Sequence, residues 1–524
     1  MTSLTFHGGV GEIGGNKILL EDGSTRIFLD FGVSFALKGS FYEEFLQPRT
    51  NSGLRDLMEL GIMPKIDGIY RADLLKVEGI KGIIEEISSD DPSLWISDVR
   101  SYDEVKEKKG EPFIHGVLIS HGHFDHFQCI SFLDEKIPIY CSAITKALIE
   151  AADDLGKDGV ENEFLSAKKR TLGTLGDRAT FPGAYTIDTE SRDREFRLLE
   201  EQQKIENLEV RVFPVDHSVP GAMAFLIKTS DGKTIVYTGD LRFHGVRSDL
   251  TKNFGASLKS LRPNALIIEG TRIDKDTPDS ESEVKNECID LISKTKGLAM
   301  VGFAWKDITR YQTMREVAAE TGRILVISPK LAYVINRLKG FEDLKLQSLT
   351  LEENVRVYLK RKDKMLYSKA DYVKSKCDAG YSVDWKEKID LTHFNEGIRA
   401  YHIKRDPSRY LIHLDFYNFN ELIDLNPPQG STYISASSEP FNLEMELDEK
   451  RLKCWLQHFA INTPTHEPHY IHASGHASGP EIKRLIEEIN PKLVFPVHTE
   501  HPELFVAPPG TRVEIPQVGK SYRL

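Results

Sequence analysis

The chain has 524 residues, 40% of them hydrophobic and 28% charged, and its 68 basic against 80 acidic side chains give a formal charge of −12. That is enough for two large domains, or for one domain carrying an inserted second, and too acidic for a generic polyanion binder. No apolar run approaches the length of a membrane span and no basic-then-apolar leader opens the sequence, so no membrane is expected and the cytoplasm is the expected compartment.

In chain order, the glycine-rich stretch from Phe6 to Asn16 lacks the Lys-Ser/Thr of a phosphate loop and reads as tight hairpin turns. Strands follow over 17–20 and 25–30, leaving Asp30 at a strand end, where it is either a turn carboxylate or an orienting partner for ligand histidines. Residues 36–112 are charged and irregular, with helical pieces at 53–60 and 80–87. They read as an elaboration covering one edge of the core.

The apolar run Val117-Leu118-Ile119 then delivers Ser120-His121-Gly122-His123-Phe124-Asp125-His126. His121 and His123 share one side of an extended backbone, while Asp125 and His126 fall where the chain turns, so one pair can hold one ion and the next pair another. Imidazole plus carboxylate suits zinc, with manganese as the common substitute, and two such ions suit phosphoester or acyl hydrolysis.

A strand over 137–141 and a helix over 143–155 continue an α/β alternation. The strand at 210–215 ends in Asp216-His217, that at 233–237 in Thr238-Gly239-Asp240, and that at 265–268 in Glu269. Successive strands that stop on metal-type residues extend the candidate site to His217 and Asp240. From 272 to 468 a separate βαβ rhythm begins, with helices at 280–293, 311–320 and 331–338 and strands at 298–303, 323–327, 409–416 and 431–436. Finally Ser474-Gly475-His476 enters a helix with Pro480 in its first turn, and a strand over 492–497 stops at His498. His476 at that helix entrance is placed for an anion, whereas Ser474 and Ser478 are candidate caps. The basic clusters 168–170 and 360–362 read as solvated faces that could also line a groove. Cys129, Cys141, Cys288, Cys377 and Cys454 form no C-x-x-C pair and read as core thiols.

This order of H-x-H-x-D-H, His217, Asp240, an intervening α/β block, Ser474-Gly475-His476 and Pro496-Val497-His498 resembles the metallo-β-lactamase superfamily. Within it the chain is similar to the β-CASP nucleases of the ribonuclease J type, through the glycine-rich opening, Asp216-His217-Ser218-Val219-Pro220, Phe303-Ala304 with Arg310 and Gln312, and Ser438-Glu439-Pro440. The resemblance implies an α/β fold, an αββα sandwich at 1–271 (elaborated at 36–112) and 469–524, with a β-CASP domain inserted at 272–468. It further implies two zinc ions, one on His121, His123 and His217, the other on Asp125, His126 and His498, with Asp240 bridging. Asp30 would be the carboxylate behind the ligands, and Glu269 the acidic residue opening the inserted block. His476 would contact the scissile phosphate, and Ser474, Arg310, Ser435 and Ser437 would meet substrate. The implied activity is hydrolysis of single-stranded RNA, by 5′–3′ exonuclease or endonuclease action, with Asp125 as proton acceptor and His476 at the leaving group. A His at position 498 favours RNA over DNA, since the DNA-repair branch commonly has Val there. A DNA nuclease and a small-ester hydrolase on the same dinuclear site are the alternatives. Three departures stand out: the long 36–112 segment, Phe127-Gln128 after the histidine cluster, and only about 26 residues after His498, too few for the assembly domain of bacterial relatives, so a homo-oligomer is left open.

Overall fold

The structure, a computed structural model, describes residues 1–43, 45–49, 53–76, 98–157, 159–174, 185–259, 261–276, 280–349, 352–361, 368, 371, 397–438, 440, 443–464 and 471–524. The first sheet takes β1 (Thr2–Gly8), β2 (Lys17–Asp22), β3 (Thr25–Phe31), β4 (Val117–Leu118) and β5 (Ile139–Cys141). A separate hairpin pairs β6 (Ser166–Thr174) with β7 (Tyr185–Asp193), and β8 (Phe196–Leu198) returns to the first sheet. The second sheet is built from β9 (Gln202–Ile205), β10 (Leu208–Pro214), β11 (Met223–Lys228), β12 (Thr234–Tyr237) and β13 (Ala265–Glu269). A third sheet holds β14 (Ala299–Gly302), β15 (Ile324–Ile327), β16 (Val355–Val357), β17 (Tyr410–His413) and β18 (Thr432–Ser435), all parallel, in the order β16-β15-β17-β14-β18. The chain then goes back: β19 (Leu493–Val497) and β20 (Arg512–Val513) join the second sheet, and β21 (Ser521–Arg523) closes the first against β1.

Period-2 alternation explains why the first two sheets face each other. Ile18, Leu20, Ile27, Leu29 and Leu118 point inward and meet Val210, Val212, Phe225, Ile227, Ile235, Ile267 and Phe495 of the second sheet in one dry core. The alternate residues of the first sheet, Leu19, Phe28, Phe31, Val117 and Ile139, face outward onto the elaboration through Leu54, Leu57, Met58, Ile69, Tyr70 and Tyr102. That segment is thus a third layer covering a whole sheet face, more than one edge. It contains helices Gly53–Glu59 and Tyr102–Lys109; the helix expected at 80–87 lies outside the described residues. On the far side, helices Ser248–Leu258 and Gly479–Ile489 cover Val236, Leu266, Ile268 and Val494. The result is an αββα sandwich. The third sheet carries hydrophobic clusters on both faces, as its continuous apolar strands require.

The helix Ala143–Leu155 serves both halves. Ile149 and Ala152 pack under the first sheet, while Ala147, Leu148 and Ala151 share the core of the third sheet. Arg337 adds an ion pair to Glu150 at 2.9 Å. Cys129, Cys141 and Cys288 are buried as expected, Cys454 is exposed, and Cys377 lies outside the described residues. The basic clusters are partly consumed internally: Arg170 pairs with Glu163 at 2.6 Å and Arg361 with Asp371 and Asp424 at 3.5 Å, and Lys362 is not among the described residues. No helix among the described residues is long and apolar enough to cross a membrane.

Candidate metal centre

The strands of the sandwich bring their ends to one rim, and the candidate ligands sit there. β3 carries Asp30 one residue before its end, β4 leads into His121, β10 into Asp216-His217 and β12 into Asp240, β13 ends at Glu269 and β19 leads into His498. Two of these turn corners with left-handed backbone, Asp30 at φ 57° and His498 at φ 53°. Such conformations in non-glycine residues cost roughly 1–3 kcal/mol and persist where the surroundings hold them. Here Asp30 is held by Ser120, whose N–H and hydroxyl donate to its carboxylate at 2.6 and 2.7 Å, and His498 by its own N–H to the Gly9 carbonyl at 2.8 Å.

Two donor groups result. In the first, His123 Nδ1 lies 3.1 Å from both His121 Nε2 and His217 Nε2, with Asp240 at their edge. Nitrogens about 2.0 Å from a tetrahedral zinc stand about 3.3 Å apart, so the spacing fits that ion. In the second, Asp125 Oδ2 is 3.1 Å from His498 Nε2 and 3.6 Å from His126 Nε2. Asp240 Oδ2 lies between the groups, 3.1 Å from His126, 3.5 Å from His498 and 3.6 Å from His121. His126 Nε2 and Asp240 Oδ1 are buried with no hydrogen-bond partner, a donor set that fits a cation better than a closed polar network.

Protonation follows the same division. Burial, reinforced by neighbouring imidazoles, pushes His121 and His217 well below the usual histidine range, and burial pushes His123 down to about 4, so this trio offers free lone pairs. His126 is opposite: burial would lower it, but Asp240, Asp125 and Asp30 outweigh that and hold it well above the ordinary value. The same contacts hold Asp125 and Asp240 well below the usual carboxylate range against their own burial.

Four of the candidate ligand imidazoles have their second nitrogen tied. His121 Nδ1 donates to Ser120 Oγ at 3.0 Å, His126 Nδ1 to Asp30 at 2.7 Å, His217 Nδ1 to the Gly475 carbonyl at 2.5 Å and His498 Nδ1 to Thr271 Oγ1 at 2.8 Å. Such ties fix tautomer and ring plane. Asp30 also accepts from the Tyr237 hydroxyl at 2.5 Å. The glycine-rich opening is an eight-residue loop between β1 and β2 rather than a tight turn, and it seats Asp125. The Gly15 N–H donates to the Asp125 carbonyl at 3.1 Å, and a Cβ on Gly14 would meet Asp125 Cβ at 2.7 Å.

At the mouth stands His476. Its Nδ1 lies 3.0 Å from Glu269 Oε2, and Glu269 is itself fixed by the N–H groups of Leu241 and Thr271. Burial would lower the pKa of His476, but the Glu269 carboxylate outweighs it and raises it to about 8. His476, His123 and Asp125 are only partly buried, so this side is the open one.

The expected substrate contacts fare differently. Arg310 is corrected: it is 1% exposed, its Nε and Nη2 engage Glu281, and Nη1 donates to the carbonyls of Ala436 and Ile471. With four of its five N–H groups engaged in this buried setting, it ties two loops of the site together. Ser474 accepts the His476 N–H at 3.2 Å, a local cap. Ser435 and Ser437 lie half-buried at the carboxyl end of β18, beside the Ala436 carbonyl that Arg310 holds. Two buried cations escaped the sequence reading. Arg242 joins Asp216, the Ser474 carbonyl and Thr309, and Lys306 reaches the Gly122 carbonyl. A basic residue two positions after Asp240 was the available signal for Arg242; Lys306 had none.

Residues 98–303 match the family described as the beta-lactamase superfamily domain. Those residues carry a beta-lactamase superfamily domain. Residues 467–504 match the Zn-dependent metallo-hydrolase RNA specificity domain. The His and Asp clusters fit a dinuclear centre, in keeping with that zinc-dependent family. It is 25% identical over 397 residues to "Ribonuclease J" of Thermus thermophilus, covering 73% of this chain and 57% of that protein. It is 22% identical over 417 residues to "Ribonuclease J" of Sinorhizobium meliloti (77% and 61%), and 26% over 263 residues to "Ribonuclease J 2" of Staphylococcus epidermidis (48% and 40%). The matches thus span between 40% and 61% of these relatives' length. A crystal structure of a protein of unknown function from Enterococcus faecalis V583 shares the fold over 100% of both chains, with TM-score 0.66 and 22% identity.

Proposed function

We propose that this chain is a zinc-dependent ribonuclease that hydrolyses phosphodiester bonds of single-stranded RNA. The observation that carries the reading is His476, an imidazole kept charged by Glu269 at the open mouth of the two donor groups, where a phosphate oxygen needs a cationic hydrogen-bond donor. The RNA specificity match over the segment that contains His476, and the ribonuclease J relatives, support the same substrate.

His121, His123 and His217 would hold one zinc and Asp125, His126 and His498 the other, with Asp240 between them. When bound, the pair supplies Lewis acidity, acidifying water and neutralising charge that builds on the phosphoryl oxygens. Asp125, partly exposed on the open side, takes the proton of the attacking water. His476 donates toward the phosphate and the departing 3′ oxygen, leaving a 5′-phosphate and a 3′-hydroxyl. Arg310 and Arg242 keep the loops bearing Ala436, Ile471 and Ser474 in place around the strand.

The test is single-stranded RNA labelled separately at each end, incubated with zinc or manganese and either wild-type protein or His123→Ala. Metal-dependent cutting that the mutant loses supports the reading, and mononucleotides released from the 5′ end separate exonuclease from internal action. Turnover confined to DNA of the same sequence, or to a p-nitrophenyl ester, would overturn it.

A further inference from the structure

Each ligand imidazole other than His123 has its non-ligating nitrogen fixed by a partner. His123 ligates through Nδ1, and among the described residues its Nε2 meets no donor or acceptor. A ring without such a tie must be aimed by its backbone.

The neighbours of His123 on both sides, the Gly122 carbonyl and the Phe124 ring, are held by one residue of the loop after β14. Lys306 lies in the loop after β14, immediately before Asp307, whose side chain caps the helix Ile308–Glu320. A strand end and a helix cap therefore fix its root. Its Nζ donates to the carbonyl of Gly122, the residue before His123, at 3.1 Å. The same Nζ lies 3.7 Å from the ring centroid of Phe124, the residue after His123, with Trp305 and Phe127 at 5.2 and 5.3 Å. Leu148 closes the other side of Gly122, where an added Cβ would meet its Cδ1 at 2.9 Å. Lys306 is only 6% exposed, and its burial, partly offset by Asp125, brings the amine down to about 7. An amine buried on aromatic faces with a single carbonyl partner is costly to keep for packing alone, because an apolar side chain would fill the space more cheaply.

We propose that Lys306 is the positioning residue for His123: by holding the Gly122 carbonyl and the Phe124 ring it sets the His121-Gly122-His123 segment so that His123 Nδ1 meets the other two nitrogens. The inserted sheet thus contributes directly to the metal geometry of the sandwich. This rests on the metal-site reading above but not on RNA as substrate.

The experiment measures zinc affinity of metal-stripped protein by competition with a chromogenic chelator, without RNA, for wild type, Lys306→Met and Lys306→Gln, with thermal melts alongside. Methionine keeps the apolar bulk and removes the donor; glutamine restores an N–H donor. Loss of an orienting group typically weakens a metal site about 10–100-fold, which is the effect expected of Lys306→Met on one of the two zinc ions. Recovery of at least half of that loss, on a logarithmic scale, is expected of Lys306→Gln. Should Lys306→Met not fold, Phe124→Leu takes its place, removing the ring and keeping the amine, with at least a threefold loss expected. Affinity within twofold of wild type in the variant measured, or equal losses in Met and Gln, overturns the proposal while leaving the function intact. Wild-type protein that takes up no zinc overturns both.

Discussion

The two halves of the candidate metal centre are built from similar residues and prepared in opposite ways. His121, His123 and His217 are kept neutral by burial and by one another, whereas His126 is surrounded by Asp30, Asp125 and Asp240 and holds a proton. The histidine trio is ready for a cation as it stands; the carboxylate-rich half must exchange a proton for it. What differs is the carboxylate surroundings: His126 has Asp30 behind it and Asp125 and Asp240 beside it, whereas a hydroxyl and a carbonyl oxygen stand behind His121 and His217, so the environment of an imidazole, more than its identity, sets how it is loaded.

The comparison can be broken most severely at the trio. His123→Ala should bring metal-dependent cleavage below detection and remove one zinc per chain by elemental analysis, leaving the other half occupied. Removing the cation at the mouth comes next. His476→Gln should slow turnover by about 10²–10⁴-fold with little change in zinc content. Because His476 is protonated below about 8 and neutral above it, wild-type rate should fall as pH rises through that value, and the variant's profile should lack that limb. The carboxylate half is probed by Asp30→Asn, which weakens the acceptor for His126 and should cost about 10–100-fold in affinity for the second zinc alone. The gentlest test changes no residue. Calorimetry in buffers of different ionisation enthalpy should show one proton released by the zinc that binds with His126 and none by the other, so only the former tightens, about tenfold per pH unit near neutrality.

The clustering of these side chains could be anticipated from the chain because the candidate ligands stand where apolar strands stop. Val117-Leu118-Ile119, the 210–215 run and the 492–497 run each announce a strand by pattern, and a histidine just beyond is hard to explain as packing. Helices with a cap and a clear apolar stripe, such as Ala143–Leu155 and Gly479–Ile489, were equally plain. The hairpin β6–β7 was not read, since its polar 9-residue strands bury no face of their own. Arg310 was misplaced because a sequence does not say whether a guanidinium meets water or a buried Glu281. Lys306 was missed for the converse reason. A lysine among aromatic residues looks like a surface side chain until folding brings Phe124, Phe127 and Trp305 around it.

Asp125 and His498 face each other across 3.1 Å of space and 373 positions of sequence. At synthesis rates of about 5–20 residues per second, roughly 20–75 seconds separate their appearance. From the synthesis of His217 onward, a growing chain owns the histidine trio but has neither His498 nor the strand β19 that leads into it. Such a chain can bind a first ion and cannot complete the pair. The return of the sequence to its starting domain therefore acts as a delay: an enzyme of the proposed kind could not begin cutting RNA while its own message is still being read through the last domain.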